Sequence, residues 1–238
     1  MTTLVLATRN AHKAEEIQAI LSSPGSHLRL LTLRDFPAAP AVVEDALTFA
    51  GNATKKAVEL ARWLSQLQIS KFKFETSNSA FVLADDSGLE VDALNGAPGV
   101  YSARFAALGT EQGNSPDAAN NAKLLRLLER VPADRRTARF RCVLALTPLI
   151  VPAPKGASPV CAADELEMQT ELFDGVCEGR IAFAPTGAGG FGYDPLFIPE
   201  GHQQSFAELG ETTKNVLSHR ARALSKLKER LLRIKDAT

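Results

Sequence analysis

Two adjacent carboxylates, Asp85 and Asp86, follow directly on the apolar run Phe81-Val82-Leu83-Ala84. Such a run reads as a buried strand, and the carboxyl end of a strand is where α/β sheets place their ligands. A carboxylate there can hold Mg²⁺ through oxygen and polarise a water. Successive side chains of a strand point to opposite faces, so one of the pair is expected to serve the site. Asp-Ser-Gly is also turn chemistry, and a plain turn over 85–88 is the competing reading. Glu44 lies in Val43–Phe49, ahead of a helix that Thr48 can cap, and is available as a second metal ligand. Taken alone, that stretch reads as an acidic loop before an amphipathic helix.

Three further clusters have the composition of binding sites. Thr8-Arg9-Asn10-Ala11-His12-Lys13 lies between an opening strand and a helix, where free backbone N–H groups and the helix dipole favour an anion. Lys13 adds positive charge on that side; a capped helix start with a solvated lysine is the plainer alternative. The cluster lacks the glycines of a P-loop, which argues against a Walker-type nucleotide hydrolase. Gly189-Gly190-Phe191-Gly192-Tyr193-Asp194-Pro195 sets three glycines around two aromatics. That arrangement suits a backbone close to a flat ligand with a ring stacked on it and Asp194 accepting from its edge, or else a tight turn with core aromatics. Lys214 and Ser218, spaced i, i+4, share a helical face with His219 and Arg220 beside them. These groups suit an anion or a carbonyl-bearing base, although a lone basic face is ordinarily solvated.

The elements that must position these groups follow from hydrophobic period. Residues 3–8 read as a strand, then a helix runs to Leu21 with Asn10 as N-cap and Ile17, Ile20 and Leu21 on one face. A second strand is expected at 28–33 and a helix from Thr48 to about Leu67. Ser115-Pro116 opens a helix with proline at its first position and Leu124, Leu125, Leu127 and Leu128 on its core face. Residues 137–147 form a long strand with Ala138, Phe140, Cys142, Leu144 and Leu146 on one side. Strands are expected near 168–174 and 179–184, and a last helix from about Lys214. Residues 65–80 and the proline-rich 148–160 read as connections. The mixture of strands and helices throughout, without a linker, predicts one α/β domain over 1–238 with a mixed sheet.

Composition narrows the function. A chain that is 45% hydrophobic and 23% charged is globular rather than disordered. Its 27 basic and 27 acidic residues cancel, so no overall basic footprint for nucleic acid exists. No apolar run approaches the ~20 residues that span a bilayer. The N-terminus has no basic flank before its apolar stretch and reads as a strand, not a signal peptide. Cys142, Cys161 and Cys177 share no CxxC spacing, which favours neither disulfides nor a thiolate metal site and suits a reducing cytoplasm.

In order and wording, the phrases LATRNAHKAEEI, VVEDALTFAGNATKKA, ADDSGLEVDALNGAPGVYSARFA, TARFRCVLAL, GGFGYDPLF and KNVLSHRARAL resemble the inosine triphosphate pyrophosphatase family nearly end to end. The resemblance implies an elongated mixed sheet flanked by helices, in two lobes with a central cleft, usually as a homodimer. It implies Mg²⁺-dependent hydrolysis of non-canonical purine nucleoside triphosphates (ITP, dITP, XTP) to monophosphate and pyrophosphate, cleansing the nucleotide pool. By position, Thr8, Arg9, Asn10, Ala11, His12 and Lys13 correspond to the triphosphate cradle, and Lys56 to a further phosphate contact. Asp86 corresponds to the general base and a metal ligand, Glu44 to its metal-binding partner and Ser87 to a substrate contact. Phe191, Gly192, Tyr193 and Asp194 correspond to the base-binding turn, and Lys214, His219 and Arg220 to the rest of the purine pocket.

Two departures stand out: Ala46 where the family often has glycine, and Gly51 where it commonly has glutamate. A helix-interior glycine costs about 0.5–1 kcal/mol relative to alanine. Segments 65–80 and 150–162 are longer than the family requires and read as surface insertions. Two other readings fit the same residues, a sister pyrophosphatase for other modified nucleotides and a nucleotide-binding protein without catalysis.

Overall fold

The computed structural model describes residues 2–22, 28–67, 80–109, 113–149 and 166–236. Cys161 and nearly all of the two expected insertions lie outside them. In chain order the elements are β1 (Thr2–Leu6), α1 (Ala11–Leu21), β2 (Leu28–Thr32), α2 (Phe49–Leu67), β3 (Ala80–Val91), α3 (Asp117–Leu127), β4 (Thr137–Pro148), β5 (Glu171–Ile181), β6 (Phe197–Pro199), α4 (Phe206–Leu217) and α5 (His219–Asp236). The strands form one sheet in the order β2-β1-β3-β4-β5-β6; β1 runs parallel to β2 and β3, and β6 antiparallel to β5. This is the expected mixed α/β sheet. By contacts the chain divides into two compact units, one made of 1–86, 143–173 and 224–238, the other of 87–142 and 174–223.

In the first unit Leu4, Val5 and Leu6 of β1 are all fully buried, as befits a strand between two parallel neighbours. Val5, Ala7, Val82, Ala84 and Ala145 share a core with Ala53, Ala57, Leu60, Ala61 and Leu64 of α2. Those α2 positions recur at helical spacing and make one apolar face. Both expected caps form: the Asn10 side chain accepts from the Lys13 amide, and Thr48 Oγ1 accepts from the Gly51 amide at 3.0 Å.

In the second unit Leu89, Val91, Ala138, Phe140, Cys177, Ile181, Tyr193, Phe197 and Phe206 cluster with Leu124 and Leu128 from α3 and its C-cap. Burying a leucine is worth about 1.5–3 kcal/mol, so these two anchor α3 firmly.

Four sequence expectations are corrected. Asp85 and Asp86 do not end their strand: β3 continues to Val91, and the carboxylates stand in mid-strand because Leu89 and Val91 prolong the buried run, which also excludes the competing turn. The strands expected near 168–174 and 179–184 are one strand, β5, and β6 was not anticipated. Gly175 and Gly179 suggest breaks, yet both are points of close approach: an added Cβ would lie 2.0 Å from the His219 carbonyl and 2.4 Å from that of Ile198. Pro116 is the N-cap of α3 rather than its first residue. The last helix is two, α4 and α5, divided at Ser218, whose backbone is extended and whose Oγ accepts from the Ala221 amide at 3.1 Å. Ser218 caps α4, its amide donating to the Lys214 carbonyl at 2.9 Å, so the expected i, i+4 spacing is kept where the first of the two helices ends. Among the described residues, no helix is long and apolar enough to cross a membrane.

Candidate functional site

In the first unit two carboxylates converge on one lysine. Asn52 and Lys56, four apart on α2, border its apolar face and are both buried. Lys56 Nζ donates to Asp86 Oδ1 at 3.0 Å and to Glu44 Oε2 at 3.2 Å. Asn52 ties the assembly together, donating to Asp86 Oδ2 at 3.3 Å and accepting from the Ala46 amide at 3.0 Å. It thereby holds the loop of Glu44 to the strand of Asp86. Asn52 escaped the sequence reading; its signal is a polar residue one turn before Lys56, beside an alanine-rich face.

Burial pushes the Asp86 carboxyl up to about 6, a penalty that the charges of Lys56 and Lys13 only partly offset. Burial acts on Glu44 in the same sense, but Lys56 and a hydrogen bond from Asp86 outweigh it and hold Glu44 below the usual range. Lys56 is raised despite burial because Asp86, Glu44 and Asp85 favour its charged form. Asp86 therefore binds its proton more tightly folded than unfolded, and its contribution to stability is lost as pH rises toward 6. Relative to Asp86→Asn, the metal-free wild type should lose up to about 3 kcal/mol between pH 4 and pH 7. Urea denaturation of both proteins across that range measures the difference; a constant difference, or a wild-type gain, would refute this account.

Partly buried Lys13 and buried Asp85 make a second ion pair in this unit. Asp85 and Asp86 thus engage lysines of different helices, α1 and α2, as strand alternation predicts. The Thr8–Ala11 turn, with Ala14, Glu15 and Gln18 of α1 and Thr32–Arg34, lines a groove of about 280 Å³. Arg9 donates to the Ala39 carbonyl at 2.7 Å, and exposed His12 lies 3.8 Å from Glu15. Of the six residues in the expected cradle, only Lys13 has its charged group on the acidic strand.

The departures at 46 and 51 are linked. A Cβ at Gly51 would meet the Ala46 Cβ at 2.8 Å, so the two positions compete for one space. Gly51 also lies in the first turn of α2 rather than its interior. The helix-interior cost expected from sequence is corrected to a steric requirement set by Ala46.

In the second unit the turn at 190–194 closes on Asp194. Its Oδ2 accepts from the Phe191 amide at 2.9 Å and from Lys214 Nζ at 2.6 Å. Gly190, at φ 73°, makes this possible, since a Cβ there would lie 2.3 Å from that oxygen. Lys214 Nζ stands 4.2 Å from the centre of the Phe191 ring and Arg220 Cζ 6.0 Å from it. Arg220 also donates to Ser87 Oγ at 2.9 Å. His219 stacks on Phe140, with centroids 4.8 Å apart.

Two expectations for this turn change. Tyr193 is a core residue, its hydroxyl donating to the Ser102 carbonyl at 3.0 Å, so Phe191 is the partly exposed ring of the two. Asp194 braces the turn with an oxygen that already accepts two bonds.

An α/β protein with a lysine-bridged carboxylate pair and a cluster of buried cations around an aromatic turn is the class that fold and geometry define. The chain belongs to the Ham1 family, whose model matches residues 4–230. It is 45% identical to a dITP/XTP pyrophosphatase of Desulforamulus reducens over 97% of this chain and 96% of that protein. A dITP/XTP pyrophosphatase of Geobacter sulfurreducens is 46% identical over 97% of each chain. Among solved structures, a HAM1 protein from Coxiella burnetii superposes with a TM-score of 0.73 at 34% identity, covering 98% of this chain and all of that one. The Staphylococcus aureus Ham1 protein does so with a TM-score of 0.71 at 32% identity, covering 97% and 98%.

Proposed function

We propose that this protein hydrolyses non-canonical purine nucleoside triphosphates of the dITP and XTP type to monophosphate and pyrophosphate, removing them from the nucleotide pool. The observation that carries the reading is the convergence of Glu44 and Asp86 on Lys56. It is joined by the names of relatives similar over almost their whole length.

The donor set fits a hard divalent cation such as Mg²⁺. Two crowded carboxylates share a single buried ammonium and present only oxygen. Mg²⁺ commonly takes one or two carboxylates from the protein, the number that Glu44 and Asp86 supply, and fills its other positions with water and substrate phosphates. When bound by Glu44 and Asp86, the ion supplies neutralisation of phosphate charge. Asp86 orients the attacking water and takes its proton. Lys56 and Lys13 stabilise charge growing on the departing pyrophosphate. The turn from Thr8 to Ala11 lies at the N-terminus of α1, where the helix dipole favours the same anion.

At the other end of the substrate, Phe191 stacks on the base while Lys214, His219 and Arg220 set its polar surroundings. Hypoxanthine and xanthine carry an acceptor at C6, where adenine carries a donor. A buried cationic donor therefore pairs with the first two and is left unsatisfied by ATP. A homodimer in the cytoplasm completes the reading through the family resemblance.

A panel of ITP, dITP, XTP, ATP, GTP and modified pyrimidine triphosphates, assayed for pyrophosphate release with Mg²⁺, tests this directly. The inosine and xanthosine forms should lead in kcat/KM. Release from none of them, or equal release from ATP, overturns the proposal.

A further inference from the structure

The backbone around Phe191 is held completely by the protein. The Phe191 amide donates to Asp194 Oδ2, and its carbonyl accepts from the Asp194 amide at 3.2 Å. The Gly192 amide donates to Asp117 Oδ2 at 2.6 Å, and its carbonyl accepts from Asn121 Nδ2 at 3.0 Å. All four polar groups of the dipeptide are thus engaged, and its ring is what remains to meet a ligand. Gly192 adopts a left-handed φ of 64°, so the peptide is set in a conformation that most residues resist.

Two of these four bonds come from α3, four residues apart on one face, and α3 is rigidly mounted. Leu124 and Leu128 are fully buried. Asn120 Oδ1 accepts from the Ala106 amide at 2.8 Å, fastening the helix to the preceding segment. Asn121 is itself buried, and its amide orientation is dictated by Gly192, since the flipped form would set oxygen against carbonyl oxygen. Asp117 is exposed, so its bond exchanges with water and contributes less.

We infer that Asn121, with Asp117 in support, is a positioning residue for base recognition: α3 grips Gly192 from both sides and fixes the angle of the Phe191 ring. This deepens the function proposed above and rests on it. Loosening the grip should weaken binding of the base while sparing the phosphate end of the substrate, whose groups belong to other elements.

The test compares Asn121→Ala, Asn121→Asp and Asp117→Asn with wild type, using ITP as substrate and inorganic tripolyphosphate as a base-free competitor. For Asn121→Ala and Asn121→Asp, KM for ITP should rise about tenfold, with kcat within about twofold and inhibition by tripolyphosphate unchanged. Asp117→Asn keeps an acceptor for the Gly192 amide and should remain within about threefold of wild type. Wild-type KM in both Asn121 variants, or a rise in KM accompanied by comparable losses of kcat and of tripolyphosphate inhibition, overturns the inference while ITP turnover by wild type still stands. Absence of that turnover in wild type instead overturns the pyrophosphatase reading, and this inference with it.

Discussion

Asp86→Asn should lower kcat for ITP by about 10²–10⁴-fold, the range that a positioned general base contributes, with a thermal melt at neutral pH no lower than that of wild type. Asparagine has nearly the same shape and keeps an oxygen for Lys56 Nζ, which in the native protein lies 3.0 Å from Asp86 Oδ1. Lys56 also retains Glu44 at 3.2 Å, so its buried ammonium is not stranded. What disappears is the anionic oxygen that accepts the proton of water and, with Glu44, holds the cation. An amide cannot take up a proton near neutral pH, so no rearrangement restores the step. Steady-state kinetics in saturating Mg²⁺, with a melt recorded on the same preparation, decides the matter. Near-normal kcat in a folded variant would remove Asp86 from the mechanism.

The second large effect concerns choice of base. Arg220→Gln should reduce the preference for ITP over ATP, measured as the ratio of kcat/KM values, by about ten- to a hundredfold. A guanidinium only donates, whereas the glutamine amide both donates and accepts. Adenine's 6-amino group then finds an acceptor in place of a group that only donates. Arg220 is 1% exposed, which magnifies the cost of leaving it unpaired. Its Cζ lies 6.0 Å from the Phe191 ring and its Nη2 bonds Ser87, so it stands beside the proposed stacking platform. Arg220→Lys retains a charged donor and should keep most of the preference, which separates base reading from packing damage. An unchanged ratio in the glutamine variant would assign the discrimination elsewhere.

Local rules carried the sequence reading a long way. Asn10 and Thr48 announced two helix starts because capping is a matter of a few neighbouring atoms. The alanine and leucine spacing of α2 and the alternation of β4 were equally legible, since period reports burial on one face. The acidic pair was visible as chemistry, and the family phrases pointed to its setting.

Only the tertiary structure decided the rest, because the deciding contacts join residues far apart in the chain. Whether Glu44 and Asp86 meet depends on Asn52 and Lys56 spanning from α2 to β3, and no period in the sequence records a distance across a sheet. Gly175 and Gly179 could not be recognised as sites of close approach before the start of α5 and β6 were in place against them. The same holds for Gly51, whose missing side chain makes sense only beside Ala46. Capping and periodicity are short-range and survive in a string of letters; hydrogen bonds to α3 from a turn some seventy residues later arise from packing, which the string encodes only collectively.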